Sequence, residues 1–334
     1  MMIHFMKEMA DRYGWDHILY MNFEDERLLT MEASDLNTVL EVHAEMTSCE
    51  RPICFFDEIQ NVPGWEKFAR RLADAKYQVY ITGSNARMLS SEIATTLGGR
   101  YIVKMVYPYS FPEYLGANGE KKQKTRSTRE RSAMAKWKAS YFKQGGFPAL
   151  VQSPDPTALL STMYQNIYLG DIAARNGLQN PALLRLLMRT LAERVKDSVS
   201  FRRLAGLLTS VSGRTTASTV IKYIEHAKES YLIFSLSNMI GSLEERKGNQ
   251  KYYFIDNGIL SLLTGSKAAL HENMVAVQLF RKYYSAAEME QDHIYYYKKM
   301  LKWISLLLTP EQLFRHAIQC IRKMLNKNLP LNGK

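Results

Sequence analysis

The sequence predicts an α/β fold with a parallel sheet in its first part, followed by a mainly helical region. Strands and helices alternate up to about residue 106, residues 53–56 are continuously apolar, and helical patterns dominate after residue 180. An uninterrupted apolar strand is typical of a parallel sheet covered on both faces. The 334 residues are enough for two or three domains.

The first part is predicted to repeat a β-α-β arrangement. The predicted elements are helix 1–13, strand 17–23, helix 34–45, strand 53–56, helix 65–75, strand 78–82, helix 86–97 and strand 101–106. Such alternation is typical of a doubly wound parallel sheet.

The second part is predicted to be mainly helical. A helix at 181–195 carries four leucines on one face, which predicts core packing; they are Leu183, Leu184, Leu187 and Leu191. A short helix from residue 201, a turn at Gly213, a helix at 215–230 and a strand at 231–236 follow the order of a winged helix-turn-helix. Further on, Glu272 is predicted to lie at a helix start and residues 294–297 to form a strand.

Charge is unevenly distributed along the chain. Residues 1–120 hold 11 Lys+Arg against 18 Asp+Glu, a net charge of −7, whereas residues 121–334 hold 33 against 15, a net charge of +18. The basic part predicts an acidic partner, with DNA as the first candidate; a solvated face that aids solubility is the open alternative.

Cysteine usage and hydropathy bear on the compartment. The three cysteines have no metal-type spacing and are too few for a disulfide framework. The apolar runs are too short to span a bilayer. We therefore expect a cytoplasmic protein without a membrane partner.

Two adjacent carboxylates, Asp57 and Glu58, directly follow the apolar strand. In a parallel sheet this position is the carboxyl edge, where open α/β folds bind ligands. In nucleotide hydrolases, acids at this position hold magnesium and orient the attacking water. An exposed acidic pair that caps the following helix is the alternative.

Three segments in this order resemble a known family: DEIQ at 57–60, ITGSN at 81–85 and GGRY at 98–101. They are similar to the core of a bacterial and archaeal group of AAA+ ATPases. In that group an ATPase domain precedes a C-terminal domain of unknown function, and the similarity extends to about Tyr297. The resemblance implies a P-loop NTPase fold, ATP and Mg²⁺ as ligands, and ATP hydrolysis.

The resemblance also implies roles for individual residues. Asp57 would hold Mg²⁺ through water, and Glu58 would polarise the hydrolytic water. Ser84 and Asn85 resemble the sensor that contacts the γ-phosphate or the water, although they could instead cap the next helix. Arg100 resembles an arginine that stabilises charge on the transferred phosphoryl group, although it could instead form a surface ion pair.

One part of a P-loop NTPase site is missing from the sequence. None of the 18 glycines begins the pattern G-x-x-x-x-G-K-[ST], whose backbone N–H groups cradle phosphates. In the family this loop lies just before the helix that corresponds to residues 1–13, after a strand in the interior of the sheet. We therefore expect a truncated or frame-shifted family member, an incomplete sheet that is split or exposed, and weak or absent nucleotide affinity.

The predicted domains follow from these patterns. They are an AAA+-like ATPase core that lacks Walker A at 1–115, a basic linker or loop at 116–139, a helical segment at 140–197, a winged-helix domain at 198–265, and a partial C-terminal α/β segment with a divergent tail at 266–334.

The sequence is compatible with two functions from different classes. The first is an ATP-binding protein of the AAA+ ATPase family whose own hydrolysis is impaired. The second is a nucleic-acid-binding winged-helix protein with a non-catalytic ATPase-like scaffold. There, phosphate contacts would come from Arg202, Arg203, Arg214, Lys222 and Lys228, and Thr216, Ser218 and Lys222 would be available to reach base edges. A packing role for the winged helix, a protein-interaction platform and an oligomer stay open.

Overall fold

The computed structural model describes residues 1–83, 95–120, 128–283, 294–297 and 306–308, with the side chains of 128–131, 297 and 306–308 left out. The chain divides into two compact units, Met1–Val103 and Lys104–Lys334. Within the described ranges, no helix has the length and apolar character needed to cross a membrane.

The first unit is built on a three-stranded parallel sheet. Its elements are α1 (Met2–Tyr13), β1 (Ile18–Asn22), α2 (Leu36–Thr47), β2 (Ile53–Asp57), α3 (Trp65–Asp74) and β3 (Val79–Ile81). The strand order is β1-β2-β3, with Ile18 opposite Ile53 and Cys54 opposite Val79. The predicted parallel sheet is confirmed, and the predicted helices and strands up to residue 82 are found within two residues at each end.

β2 is buried on both faces because its side chains alternate between two cores. Phe55 packs with Met6 of α1 on one face, and Phe56 packs with Leu36 of α2 on the other. Both phenylalanines are almost fully buried, and burial of such a side chain stabilises the fold by about 1.5–3 kcal/mol. The packing fixes β2, and with it the position of Asp57 at the carboxyl edge.

The strand predicted at 101–106 is wrong. Residues 101–107 form no strand, and the side chains of Ile102 and Val106 are 97% and 58% exposed. Their β-propensity favoured a strand, but a strand needs a neighbour that accepts its backbone hydrogen bonds. In the described chain β3 pairs only with β2. The helix predicted at 86–97 lies mostly outside the described residues.

The second unit combines helices with a five-stranded sheet. The helices are α4 (Phe111–Ala117), α5 (Thr128–Gln144), α6 (Pro156–Gln165), α7 (Pro181–Glu193), α8 (Phe201–Ser212), α9 (Ala217–Glu229), α10 (Leu243–Gly248), α11 (Asn257–Leu263) and α12 (Lys267–Tyr283), and a π-helical segment spans Asn166–Ala174. The strands are β4 (Val199–Ser200), β5 (Ile233–Asn238), β6 (Asn249–Phe254), β7 (Tyr295–Tyr297) and β8 (Leu306–Leu308), in the order β4-β6-β5-β7-β8. β5 and β7 are parallel, and the other neighbours are antiparallel.

α5 begins inside the segment that was predicted to be a basic linker or loop. Residues 128–139 contain no Gly or Pro and are rich in Ala, Lys, Arg and Glu, which favour helices. Met134 is buried, and Tyr141 further along α5 is buried as well. The lack of apolar periodicity suggested a loop, but propensity and these two buried contacts produce a helix.

The predicted helices and strand between 181 and 236 are present as α7, α8, α9 and β5. The four leucines of α7 are buried, as expected. Asn180 caps this helix by accepting the Leu183 backbone N–H at 3.0 Å. The prediction that Glu272 lies at a helix start is wrong, because α12 begins five residues earlier at Lys267.

Candidate functional site

The carboxyl edge of the first sheet brings together polar residues from all three strands. Asp57 ends the central strand β2 and lies opposite Asn22 of β1. Thr82 follows β3, and its backbone N–H donates to the Phe56 carbonyl at 3.0 Å. Parallel strands end at the same edge, so this is the place where such a sheet binds ligands.

Two hydroxyl groups hold the Asp57 carboxylate. The Thr82 hydroxyl donates a hydrogen bond to Asp57 Oδ1, and the Tyr20 hydroxyl donates to Oδ2 at 3.5 Å. Partial burial raises the pKa of Tyr20, and the negative charge and hydrogen bond of Asp57 raise it further. Tyr20 therefore stays a hydrogen-bond donor at neutral pH, and Asp57 is oriented from two sides.

Glu58 adopts a left-handed backbone conformation, with φ 52° and ψ 38°. Non-glycine residues hold this conformation at a cost of about 1–3 kcal/mol, and such residues cluster at functional sites. Here the turn ends β2 and starts a 3₁₀ helix at Ile59–Asn61. The Glu58 N–H donates to Thr82 Oγ1 at 3.4 Å, and the Gln60 side-chain amide donates to the Glu58 carboxylate.

The donor set at this edge fits Mg²⁺ better than a transition metal. Asp57, Glu58 and Thr82 offer only oxygen atoms, and Asp57 and Glu58 are half-buried. Mg²⁺ uses one or two protein carboxylates and completes its shell with water and substrate phosphates. Within the described residues no group of three His, Cys, Asp or Glu side chains is placed to hold a metal ion.

The other predicted residues of this unit are placed differently. Ser84 and Asn85 lie outside the described residues. The Arg100 guanidinium pairs with Asp74 at 2.5 Å and donates to the Gly98 carbonyl at 3.3 Å. α3 begins near the carboxyl edge, and its ten residues rise about 15 Å. Asp74 is the last residue of this helix and therefore lies far from that edge. This is the surface ion pair that the sequence left open as the alternative.

Thr82 and Tyr20 are the residues of this edge that sequence reasoning missed. Thr82 was predicted only as the end of a strand, because its contact with Asp57 depends on the register in which β2 and β3 pair. Tyr20 gave no such signal, because it lies two residues before the end of β1. Its side chain reaches Asp57 through the register of the sheet.

In the second unit, the predicted cations lie on α8, on α9 and in the turn between them. Arg202, Arg203, Arg214 and Lys222 are all exposed. None of these four forms an ion pair with any residue that the structure describes, whereas Lys228 pairs with Glu225 at 3.2 Å. Within the described chain, four positive charges on one helix-turn-helix segment are therefore without an ion-pair partner.

The hydroxyl groups predicted to reach base edges are occupied in the structure. Thr216 Oγ1 accepts the Thr219 backbone N–H at 3.2 Å and caps α9. The Thr216 and Ser218 hydroxyls also bond each other at 2.8 Å. A contact with bases would use the capacity that remains, because a hydroxyl can donate once and accept twice.

Comparison with known protein families matches both parts of the chain. Residues 2–115 match an AAA domain, and residues 136–270 match a domain of unknown function. An uncharacterized protein of Haemophilus influenzae is 34% identical over 280 residues, which cover 81% of this chain and 68% of that protein. The uncharacterized protein MJ1544 of Methanocaldococcus jannaschii is 29% identical over 314 residues, 92% of this chain and 69% of that protein.

A solved structure, a Walker-type ATPase of Pyrococcus abyssi, is 13% identical, with a TM-score of 0.41 over 77% of this chain and 74% of that one. This likeness is too weak to define the fold. The two family matches and the Haemophilus relative rest on sequence, and they agree with the α/β sheet of the first unit. The chain belongs to an AAA+-like ATPase family in which an AAA domain is followed by a domain of unknown function.

Proposed function

We propose that the first unit binds a magnesium nucleotide, with ATP as the first candidate, at the carboxyl edge of β2. The observation that carries the proposal is the arrangement of Asp57, Glu58 and Thr82, in which one hydroxyl bonds both the Asp57 carboxylate and the Glu58 backbone. Membership of an AAA-domain family supports the choice of ATP.

In this proposal the two acids have separate roles. Asp57 would hold Mg²⁺, and Glu58 would polarise the water that attacks the phosphate. When bound, Mg²⁺ neutralises negative charge on the phosphate oxygens. Ser84 and Asn85 sense the γ-phosphate, whereas Arg100 has no role in this step, because its ion pair with Asp74 holds it at the far end of α3.

The affinity is expected to be low. The sequence has no G-x-x-x-x-G-K-[ST] loop, so the backbone cradle and the lysine that usually neutralise the phosphates are missing. We expect a Kd of about 1 mM, which corresponds to about −4 kcal/mol. ATP hydrolysis by this chain is correspondingly slow.

Calorimetric titration of Mg-ATP into the full chain tests the proposal. Asp57→Ala is expected to abolish the binding heat. Asp11→Ala is the matched control, because Asp11 is an exposed aspartate near the end of α1, at the opposite edge of the sheet. No saturable heat with the wild-type chain at millimolar ATP, or equal binding by Asp57→Ala, would contradict the proposal.

Nucleic-acid binding is the second candidate function. In it the chain segment from β4 to β6, which includes α8 and α9, acts as a winged helix. The observation that favours it is the group of four exposed cations on α8, α9 and their turn, which have no ion-pair partner among the described residues and lie in a part of the chain with a net charge of +18. Such cations bind phosphates and release counterions, which makes affinity depend on salt.

Salt-dependent DNA binding by the full chain tests this second candidate. The logarithm of the affinity falls with the logarithm of the salt concentration, with a slope of about −0.9 for each phosphate contact. Changing all four cations to glutamine should reduce the slope by about three to four. Lys138→Gln, at an exposed lysine on α5, is the control and should change it little. A flat salt response of the wild-type chain would exclude this function.

A further inference from the structure

The amino edge of the first sheet, opposite the carboxylates, carries a cationic cavity. The cavity has a volume of about 260 Å³. It lies where the three strands begin, since His17, Pro52 and Gln78 directly precede β1, β2 and β3. Arg51 and Lys76 also line it, and no carboxylate is among the described residues of its lining.

A pair formed by the Cys49 thiol and the His17 imidazole adjoins this cavity. Cys49 Sγ lies 3.3 Å from His17 Nδ1, within hydrogen-bond distance for sulfur, and His17 itself lines the cavity. Cys49 is partly exposed, and its backbone N–H donates to Thr47 Oγ1 at 3.2 Å, which fixes the loop that carries the thiol. When the His17 proton is on Nε2, Nδ1 can accept the thiol proton.

The second cysteine of this unit provides an internal contrast. Cys54 lies in β2, is fully buried, and donates to the Pro52 carbonyl. Burial raises the pKa of Cys54 to about 12. Because the thiolate is the reactive form of cysteine, Cys54 is inert at neutral pH.

We propose that Cys49 is a thiol-exchange site for small disulfides that bear carboxylates. The cavity is slightly smaller than the roughly 300–1,000 Å³ of drug-sized sites, which suits one arm of such a molecule. Arg51 and Lys76 attract its carboxylates, and His17 accepts the proton of the attacking thiol. The site lies at the sheet edge opposite Asp57 and does not depend on nucleotide binding.

The exchange step balances without a further oxidant. The Cys49 proton passes to His17, and the thiolate attacks one sulfur of the disulfide. The old S–S bond breaks as the new one forms between Cys49 and that sulfur. The second half of the disulfide leaves as a thiolate and takes the proton from His17, so one disulfide is consumed and one is formed.

The test uses oxidised glutathione as the probe on the full chain with Cys320 changed to serine. Cleavage after Glu50 separates Cys49 from Cys54, so mass spectrometry follows each thiol. Cys49 is expected to form the mixed disulfide, and Cys54 is expected to stay free. His17→Ala and His17→Asn should each slow the reaction by about tenfold or more, because asparagine can bond the thiol but cannot take its proton.

Charge variants separate the cavity from general exposure of the thiol. Changing both Arg51 and Lys76 to glutamine should slow the reaction with oxidised glutathione by about tenfold but leave the reaction with neutral iodoacetamide within about twofold. Lys67→Gln, at an exposed lysine in the first turn of α3, should change neither rate. Equal rates in the wild-type chain and both His17 variants, or equal slowing with both reagents, would overturn the proposal.

Discussion

The Thr82 hydroxyl donates a hydrogen bond to Asp57 Oδ1 across the adjoining ends of β3 and β2. The same oxygen accepts the Glu58 backbone N–H at 3.4 Å. One hydroxyl therefore orients both carboxylate residues of the candidate site. Their arrangement depends on the pairing of two parallel strands and not only on their adjacency in sequence.

Removal of this hydroxyl should weaken nucleotide binding. Thr82→Val keeps the shape of the side chain but leaves Asp57 and the Glu58 N–H without this partner, a loss of about 1 kcal/mol. We expect Mg-ATP affinity to fall about fivefold by calorimetry. Thr82→Ser retains the hydroxyl and should bind like the wild-type chain. Unchanged affinity in Thr82→Val would show that the hydroxyl does not position the acids.

The left-handed backbone at Glu58 predicts an unusual order of stabilities. Glycine adopts this conformation without steric cost, whereas alanine does not. Glu58→Gly should therefore unfold at a higher urea concentration than Glu58→Ala. We expect its free energy of unfolding to be higher by about 0.5–1 kcal/mol. Glu50→Gly and Glu50→Ala, in the exposed loop before β2, are the control pair. A less stable Glu58→Gly would mean that the turn relaxes when the side chain is removed.

The second unit holds a buried ion pair whose disruption should be costly. Lys251 Nζ lies 2.7 Å from Glu272 Oε1, and the two side chains are 5% and 18% exposed. The Tyr253 hydroxyl donates to the same oxygen at 3.0 Å. Burial raises the pKa of Tyr253, and Glu272 raises it further, so the phenol stays protonated.

Lys251→Met leaves Glu272 as a buried charge without its cation, and we expect a loss of about 3–5 kcal/mol in chemical denaturation. The comparison pair is Lys228 with Glu225, at 3.2 Å, with side chains that are 32% and 51% exposed. Lys228→Met should change stability by less than about 1 kcal/mol. Similar losses for the two variants would show that Lys251 and Glu272 do not depend on each other.

Asp256 predicts a pH dependence of stability. It is buried and accepts the Gly146 and Gly258 N–H groups at 2.8 and 2.7 Å. Burial raises its pKa from 3.8 to about 6, although these donors oppose the shift. The folded state then binds a proton that the unfolded state releases, so this contribution to stability is complete below about pH 4 and is lost as the pH rises towards 6.

Urea unfolding of the wild-type chain should therefore lose roughly 2 kcal/mol across this window beyond the change seen in Asp256→Asn, which has no titrating group. Asp155→Asn is the control, because Asp155 is an exposed helix cap. Parallel pH profiles of the wild-type chain and Asp256→Asn would show that Asp256 does not titrate in this range.

Much of the first unit could be predicted because its signals are local. The apolar run of β2 and the acids after it predict both the strand and the edge where Asp57 lies. The role of Thr82 could not be predicted so directly, because its contact with Asp57 depends on the register between β2 and β3. The prediction of a strand at 101–106 was wrong for a related reason. β-propensity is a local property, but a strand also needs a neighbouring strand with which to pair.

In the second unit, too, local patterns predicted helices but not the contacts between distant segments. The leucine face of α7 predicted its buried side correctly. The five-stranded order of the second sheet depends on pairings between distant segments, such as Ser237 with Tyr295, which periodicity does not reveal. The contact of Lys251 with Glu272 also joins residues far apart in sequence, so the sequence indicated only a helix start at Glu272, which was wrong.

If Asp57 holds the metal of a bound nucleotide, water-proton relaxation of Mn²⁺-ATP mixed with the full chain will show it most directly. Mn²⁺ replaces Mg²⁺ at oxygen ligands and reports its own immobilisation. We expect enhanced relaxation with the wild-type chain and with Asp11→Ala, and the protein-free value with Asp57→Ala. Equal enhancement with Asp57→Ala would contradict it.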